Sequence, residues 1–106
     1  MPVNMKNVIA DTFVSMAKQK PVDKITVKAL IEACGVSRQT FYYHFQDIME
    51  VIEWTLEQAT QEMLERSLKS QSAREALIVL IDTSKANSVF IRKLLDSQKR
   101  AQIEML

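Results

Sequence analysis

Ile9, Ala10, Phe13, Met16 and Ala17 recur three and four positions apart, with Asn7, Asp11, Ser15 and Lys18 between them. This spacing lays one apolar stripe along a helix. The helix is predicted to stop before Pro21, because proline disfavours helical geometry in the residue ahead of it. Lys18 and Lys20 fall near its end, where cations meet the negative pole of the helix dipole. Pro21 to Lys24 reads as a connector. Thr26 is then a good N-cap, and Val27, Leu30, Ile31 and Cys34 keep helical period up to Gly35, the only glycine in the chain. Glycine directly after such a stripe suits a left-handed C-cap, since it alone reaches positive φ without a Cβ clash. Ser37 can cap the next helix, so the expected unit is helix, tight turn, helix: Thr26 to Cys34, Gly35 to Ser37, Arg38 to Phe45.

Beyond this unit, Asp47 and Glu50 have the spacing of an N-terminal capping pair, and Ile48, Val51, Ile52, Thr55, Leu56, Ala59 and Met63 mark a long fourth amphipathic helix. Ser67 to Ser72 is polar. Ser72 and Glu75 repeat the capping spacing ahead of Ala76, Leu77, Leu80 and Ile81, which predict a fifth helix. Asn87 and Ser88 interrupt the pattern, and Val89, Phe90, Ile91, Leu94 and Leu95 open a sixth segment that is weakly specified toward Leu106.

Composition agrees with an all-α chain. Of 106 residues 47% are hydrophobic and 25% charged, enough apolar mass for a core, while one glycine and two prolines are too few for a fold of many short strands. The longest aliphatic run, Ala76 to Ile81, falls far short of the roughly 20 residues a bilayer needs, so no membrane span and a cytoplasmic protein are expected. Cys34 is the single cysteine and His44 the single histidine, which leaves no internal disulfide and no multi-ligand metal or cofactor site to expect. Cys34 reads as a small packed hydrophobe rather than a nucleophile, and Glu50, Glu53 and Glu57 as a solvated face, so no enzyme is indicated. The net charge of +1 is unevenly spread: residues 1–46 hold six basic and three acidic side chains, residues 47–106 eight and ten. A mildly basic front half is compatible with a polyanion partner.

The candidate chemistry lies at the start of the Arg38 to Phe45 helix. A major groove about 12 Å wide admits one helix, whose N-terminal residues reach base edges. Arg38 can pair with guanine O6 and N7, Gln39 with adenine N6 and N7, and the Thr40 methyl can touch thymine. Ser37, Tyr42, Tyr43 and His44 carry donors suited to phosphate, and Lys28 can add a cation from the preceding helix. Phe41 and Phe45, four apart on one face, read as core. Trp54 reads as packing between the front and back of the chain.

The run Ile25-Thr26-Val27-Lys28-Ala29-Leu30-Ile31-Glu32-Ala33-Cys34-Gly35-Val36-Ser37-Arg38-Gln39-Thr40-Phe41-Tyr42-Tyr43-His44-Phe45 resembles the DNA-binding module of the TetR family of bacterial transcriptional regulators. The Thr-Val start, the Gly-Val-Ser turn and the Tyr-Tyr-His-Phe ending carry the likeness. Arg-Gln-Thr-Phe-Tyr, Phe-Gln-Asp and Trp54 are also similar to the dihydroxyacetone-kinase operon regulators within that family. The resemblance implies a three-helix, helix-turn-helix head over residues 1–46 and, over 47–106, the start of a helical domain that dimerises and often holds a small-molecule inducer. It implies double-stranded DNA with a palindromic operator as partner. It places Arg38, Gln39 and Tyr42 at or near bases, Lys28 at a support position, and Thr26, Thr40, Tyr43 and His44 against the backbone. Two features depart from the pattern. Ile48 stands where the family usually has lysine, with Asp47 adding negative charge beside it, and the region 47–106 is shorter than the implied domain. These departures motivate an alternative expectation: a helical protein-interaction module that keeps the head's fold without specific DNA binding.

Overall fold

A side-chain oxygen fixes the start of nearly every helix in this chain. In a computed structural model, which describes residues 4–106, the helices are α1 (Met5–Ala17), α2 (Val27–Cys34), α3 (Arg38–His44), α4 (Ile48–Leu68), α5 (Ala73–Leu95) and α6 (Arg100–Glu104). The described residues contain no strand. Asn4, Thr26, Ser37, Asp47 and Ser72 each stand one position ahead of a helix and accept a backbone N–H from its first turn, at 2.9–3.1 Å. Each such cap satisfies an otherwise orphaned donor and is worth about 1 kcal/mol. Two are reciprocal boxes: Gln46 N–H donates back to Glu50 Oε2 at 3.4 Å, and Gln71 N–H to Glu75 Oε2 at 2.8 Å.

Among the described residues the core is entirely apolar, and it runs through both halves of the chain. Ile9, Phe13 and Ala17 of α1 pack with Leu30 and Ile31 of α2, Phe41 of α3, Phe45, and Ile48, Val51 and Ile52 from the first turns of α4. Phe90 and Leu94 of α5 enter the same cluster, with the Phe90 ring edge-on to Phe13 at 6.1 Å. Fully burying a side chain of this size stabilises by about 1.5–3 kcal/mol, so the front of the chain leans on α5 as well as on itself. Trp54 of α4 packs, partly buried, against this cluster, its ring at 77° to that of Phe45 and 6.2 Å away.

Three sequence expectations need adjustment. The connector after Pro21 is a 3-10 turn over Val22–Lys24, and Val22 is buried with the core rather than looped out. The Arg38 helix ends one residue early, with Phe45 extended as its C-cap. Asn87 and Ser88 do not interrupt α5. Their side chains donate to the carbonyls of Thr83 and Lys85, at 3.1 and 3.0 Å, so they bond within the helix instead of capping a new one. The buried positions Phe90 and Leu94 then continue the stripe, and the real break falls at Asp96 to Lys99. That turn is tied back to the front half, because both carboxylate oxygens of Asp23 accept the Gln98 N–H at 3.1 Å.

Among the described residues, no helix is long and apolar enough to cross a membrane. Leu64 and Leu68 of α4 and Leu77, Ile78, Leu80 and Ile81 of α5 are nevertheless exposed.

Candidate nucleic-acid interface

The α2–α3 corner turns on Gly35, whose backbone sits at φ 74°, ψ 27°. Its N–H and that of Val36 both donate to the Ile31 carbonyl, at 2.9 and 3.2 Å, closing the end of α2. A Cβ placed on Gly35 would meet no atom within 4 Å, so the demand for glycine is purely one of backbone conformation. Gly35→Ala is therefore expected to lower stability by about 1–2 kcal/mol, the cost of a left-handed residue with a Cβ, without displacing neighbours. Equilibrium urea denaturation checks this figure, and an unchanged midpoint counts against it.

The corner delivers α3 with a sharp division of faces. Phe41 is fully buried and Phe45 nearly so, and their rings stand 6.0 Å apart. On the opposite side Arg38, Gln39 and Tyr42 are exposed, and Tyr43 is 83% exposed. The sequence-predicted residues thus gather on one surface but are not equivalent. Ser37 spends its hydroxyl locally, accepting from Thr40 N–H at 3.0 Å and donating to Thr40 Oγ1 at 2.9 Å. Thr26 caps α2, accepting from Ala29 N–H, and remains exposed. Thr40 is half-buried. His44 is also half-buried and meets the Tyr43 ring edge-on at 4.9 Å. Lys28 is exposed on α2. Arg38, Gln39, Tyr42, Tyr43 and Lys28 are consequently the side chains whose polar ends stand free to meet a ligand. No charged or polar residue is buried beneath them among the described residues, so the surface is backed by a wholly apolar base.

One contact at this surface escapes sequence reasoning. Lys6 Nζ lies 5.5 Å from the centroid of the Phe45 ring, in cation–π range, which brings an α1 cation to the end of α3. The pairing joins residues far apart in the chain, and no local pattern around Lys6 signals it. Elsewhere, a cleft of about 230 Å³ opens between α1, α4 and α5, lined by Val14, Leu56, Met63, Thr83, Asn87 and Phe90 among others. The buried Thr83 Oγ1 has no hydrogen-bond partner there. The described residues hold no group of three or more His, Cys, Asp or Glu side chains arranged to hold a metal ion.

A short helix with a buried aromatic back and an exposed polar front, set against its predecessor by a glycine corner, defines a helix-turn-helix protein. Residues 9–53 match the family described as bacterial regulatory proteins, tetR family. It is also similar to the HTH-type dhaKLM operon transcriptional activator DhaS of Lactococcus lactis subsp. lactis (strain IL1403), with 24% identity over 89 residues. That alignment takes in 84% of this chain and 48% of the relative, so the chain spans about half the length of the curated relative it matches. No solved structure matches it.

Proposed function

We propose that this chain is part of a sequence-specific, non-enzymatic transcriptional regulator that lays α3 in the major groove of a palindromic operator and acts in the cytoplasm, where bacterial DNA is found. The observation that carries the reading is the exposure of Arg38, Gln39 and Tyr42 on a helix whose other face, Phe41, is locked in the core. Arg38 and Gln39, in the first turn, take the role of base readers, with Tyr42 beside them. Lys28, Tyr43, Thr26, Thr40, Ser37 and His44 serve the phosphate backbone, with Ser37 and Thr26 doing so chiefly by holding the helix starts in place. Two copies of the chain pair on DNA, which would set their α3 helices about 34–36 Å apart, one turn of the duplex. The exposed leucines and isoleucines of α4 and α5 supply apolar surface for pairing. A small-molecule effector is assigned to the cleft between α1, α4 and α5, where the unpartnered Thr83 hydroxyl offers it a hydrogen bond. The relative's role as an operon activator supports regulation as the purpose of binding.

Selection from a random duplex pool tests the proposal. Enrichment of a two-fold symmetric motif, bound by two copies in sedimentation, is the expected result. A monomer that enriches nothing would overturn it in favour of a helical protein-interaction module. On the selected duplex, Lys28→Ala is expected to weaken binding to every sequence alike and to reduce the slope of log K against log salt by about 0.9, the loss of one phosphate contact. Titrations at several salt concentrations measure that slope.

A further inference from the structure

We propose that the tip of the α4–α5 hairpin is a two-fold docking surface for a second copy of this chain, with α4 of each copy lying on α5 of the other. The inference rests on the reading that two copies pair, and it fixes where they meet and in what arrangement.

The surface is built from two apolar stripes. Leu64 and Leu68 stand four apart on the last turns of α4, and Leu77, Leu80 and Ile81 are three and four apart near the start of α5. The stripes share one side of the hairpin. Leu64 borders a groove with Leu56 and Thr60, and those two also line the seam between α4 and α5 together with Ser84. Leu80 and Leu77 precede Ser84 by four and seven residues, in one helical row. Met63 and Thr83 meet in the same seam, which sets Leu68 nearly level with Leu77 across the hairpin.

Area and charge together name the occupant. Leu64, Leu68, Leu77, Leu80 and Ile81 are 43–79% exposed and present on the order of 500 Å² per copy. With its polar rim, this approaches the roughly 800 Å² that each partner gives to a stable interface. The α4 segment carries five acidic side chains and one basic, the α5 segment four basic and two acidic. Laying α4 on α4 would bring like charges together. A two-fold axis along the hairpin instead sets each α4 on the partner's α5, with opposite net charges facing. That axis also points both heads the same way, as binding to one duplex requires. Leu68 lies about 30 Å along α4 from Ile48, so contact at the tip leaves Arg38, Gln39 and Tyr42 uncovered.

Leu68→Lys and Leu77→Glu, studied singly and mixed, test the arrangement. Both positions are exposed, and a cation at the end of α4 and an anion near the start of α5 suit the helix dipoles, so both variants should fold. In either variant alone, both seams of the pair bring a charge against an apolar side chain. In a mixed pair one seam joins the new ammonium to the new carboxylate, and the other keeps Leu68 on the partner's Leu77. Sedimentation of DNA-free protein over a range of concentrations reads self-association, with thermal melting to confirm that each variant is folded.

The expected result is a dimeric wild type, self-association weakened by at least about tenfold in each variant alone, and an equimolar mixture restored to within about threefold of wild type. Unchanged self-association of both variants places the seam elsewhere and overturns the docking surface, while the pairing reading stands. Variants that stay apart when mixed overturn the α4-on-α5 arrangement. A wild type that is monomeric when free overturns the docking surface and leaves the patch to a different partner. If it also binds the selected duplex as a single copy, the pairing reading falls with it.

Discussion

Phe41→Ala is expected to reduce the unfolding free energy by about 3–5 kcal/mol, a large share of the 5–15 kcal/mol typical of a domain. Phe41 is fully buried and is the single buried residue of α3. Its ring meets Phe45 at 6.0 Å and Tyr42 at 5.2 Å and lies in the core cluster with α1 and α2 residues, so truncation removes the only side chain that this seven-residue helix itself buries. A helix this short has no stability of its own, because nucleation is unfavourable and few hydrogen bonds follow it. The loss should therefore appear as a lowered denaturation midpoint and, in amide exchange, as early opening of α3. Tyr43→Ala, two residues on and so about 200° round the helix, where the side chain is 83% exposed, should change stability by no more than about 0.5 kcal/mol. Similar losses for the two variants would show that α3 is not held from behind as described.

Arg38→Ala should have the opposite profile. On the selected duplex it is expected to weaken binding by about 1–3 kcal/mol, roughly 5- to 150-fold, and to relax preference at one base position. Stability should be unchanged or slightly raised. Arg38 is the first residue of α3, exposed, and stands at the positive pole of the helix, where a cation is disfavoured by some 0.3–1 kcal/mol. A side chain placed against the local electrostatic preference, with no ion-pair partner among the described residues, is more simply explained by an external anion or base than by folding. Binding titrations against single-base variants of the duplex, paired with a urea melt of the protein, separate the two effects. Equal loss on all sequences would reassign Arg38 from base reader to phosphate contact.

Ile48 stands where the family resemblance leads one to expect lysine. Ile48 is buried with the α4 residues Val51 and Ile52 and serves the core. The charge at the start of α4 is set by its acidic neighbours instead.

Much of this protein could be read without coordinates, for a definite reason. Helix starts depend on a hydroxyl, amide or carboxylate acting across two or three residues, and Thr26, Ser37, Asp47 and Ser72 all act as their spacing implies. The positive φ of Gly35 follows from a stripe that ends beside the only glycine. The division of α3 into Phe41 and Phe45 against Arg38, Gln39 and Tyr42 follows from helical period alone. Where local chemistry was ambiguous, it misled: Asn87 and Ser88 look like breakers, but their side chains bond within α5 once Phe90 and Leu94 hold the helix against the core.

Tertiary structure decided everything that depends on which surfaces meet. The sequence pattern identified two apolar stripes, but only packing joined Phe90 to Phe13 and brought α5 under the head. Only packing set Lys6 over Phe45, or tied Asp23 to the Gln98 amide across the length of the chain. Local periodicity reports interactions spanning a few residues, whereas these contacts pair distant segments whose mutual register is fixed by burial and shape.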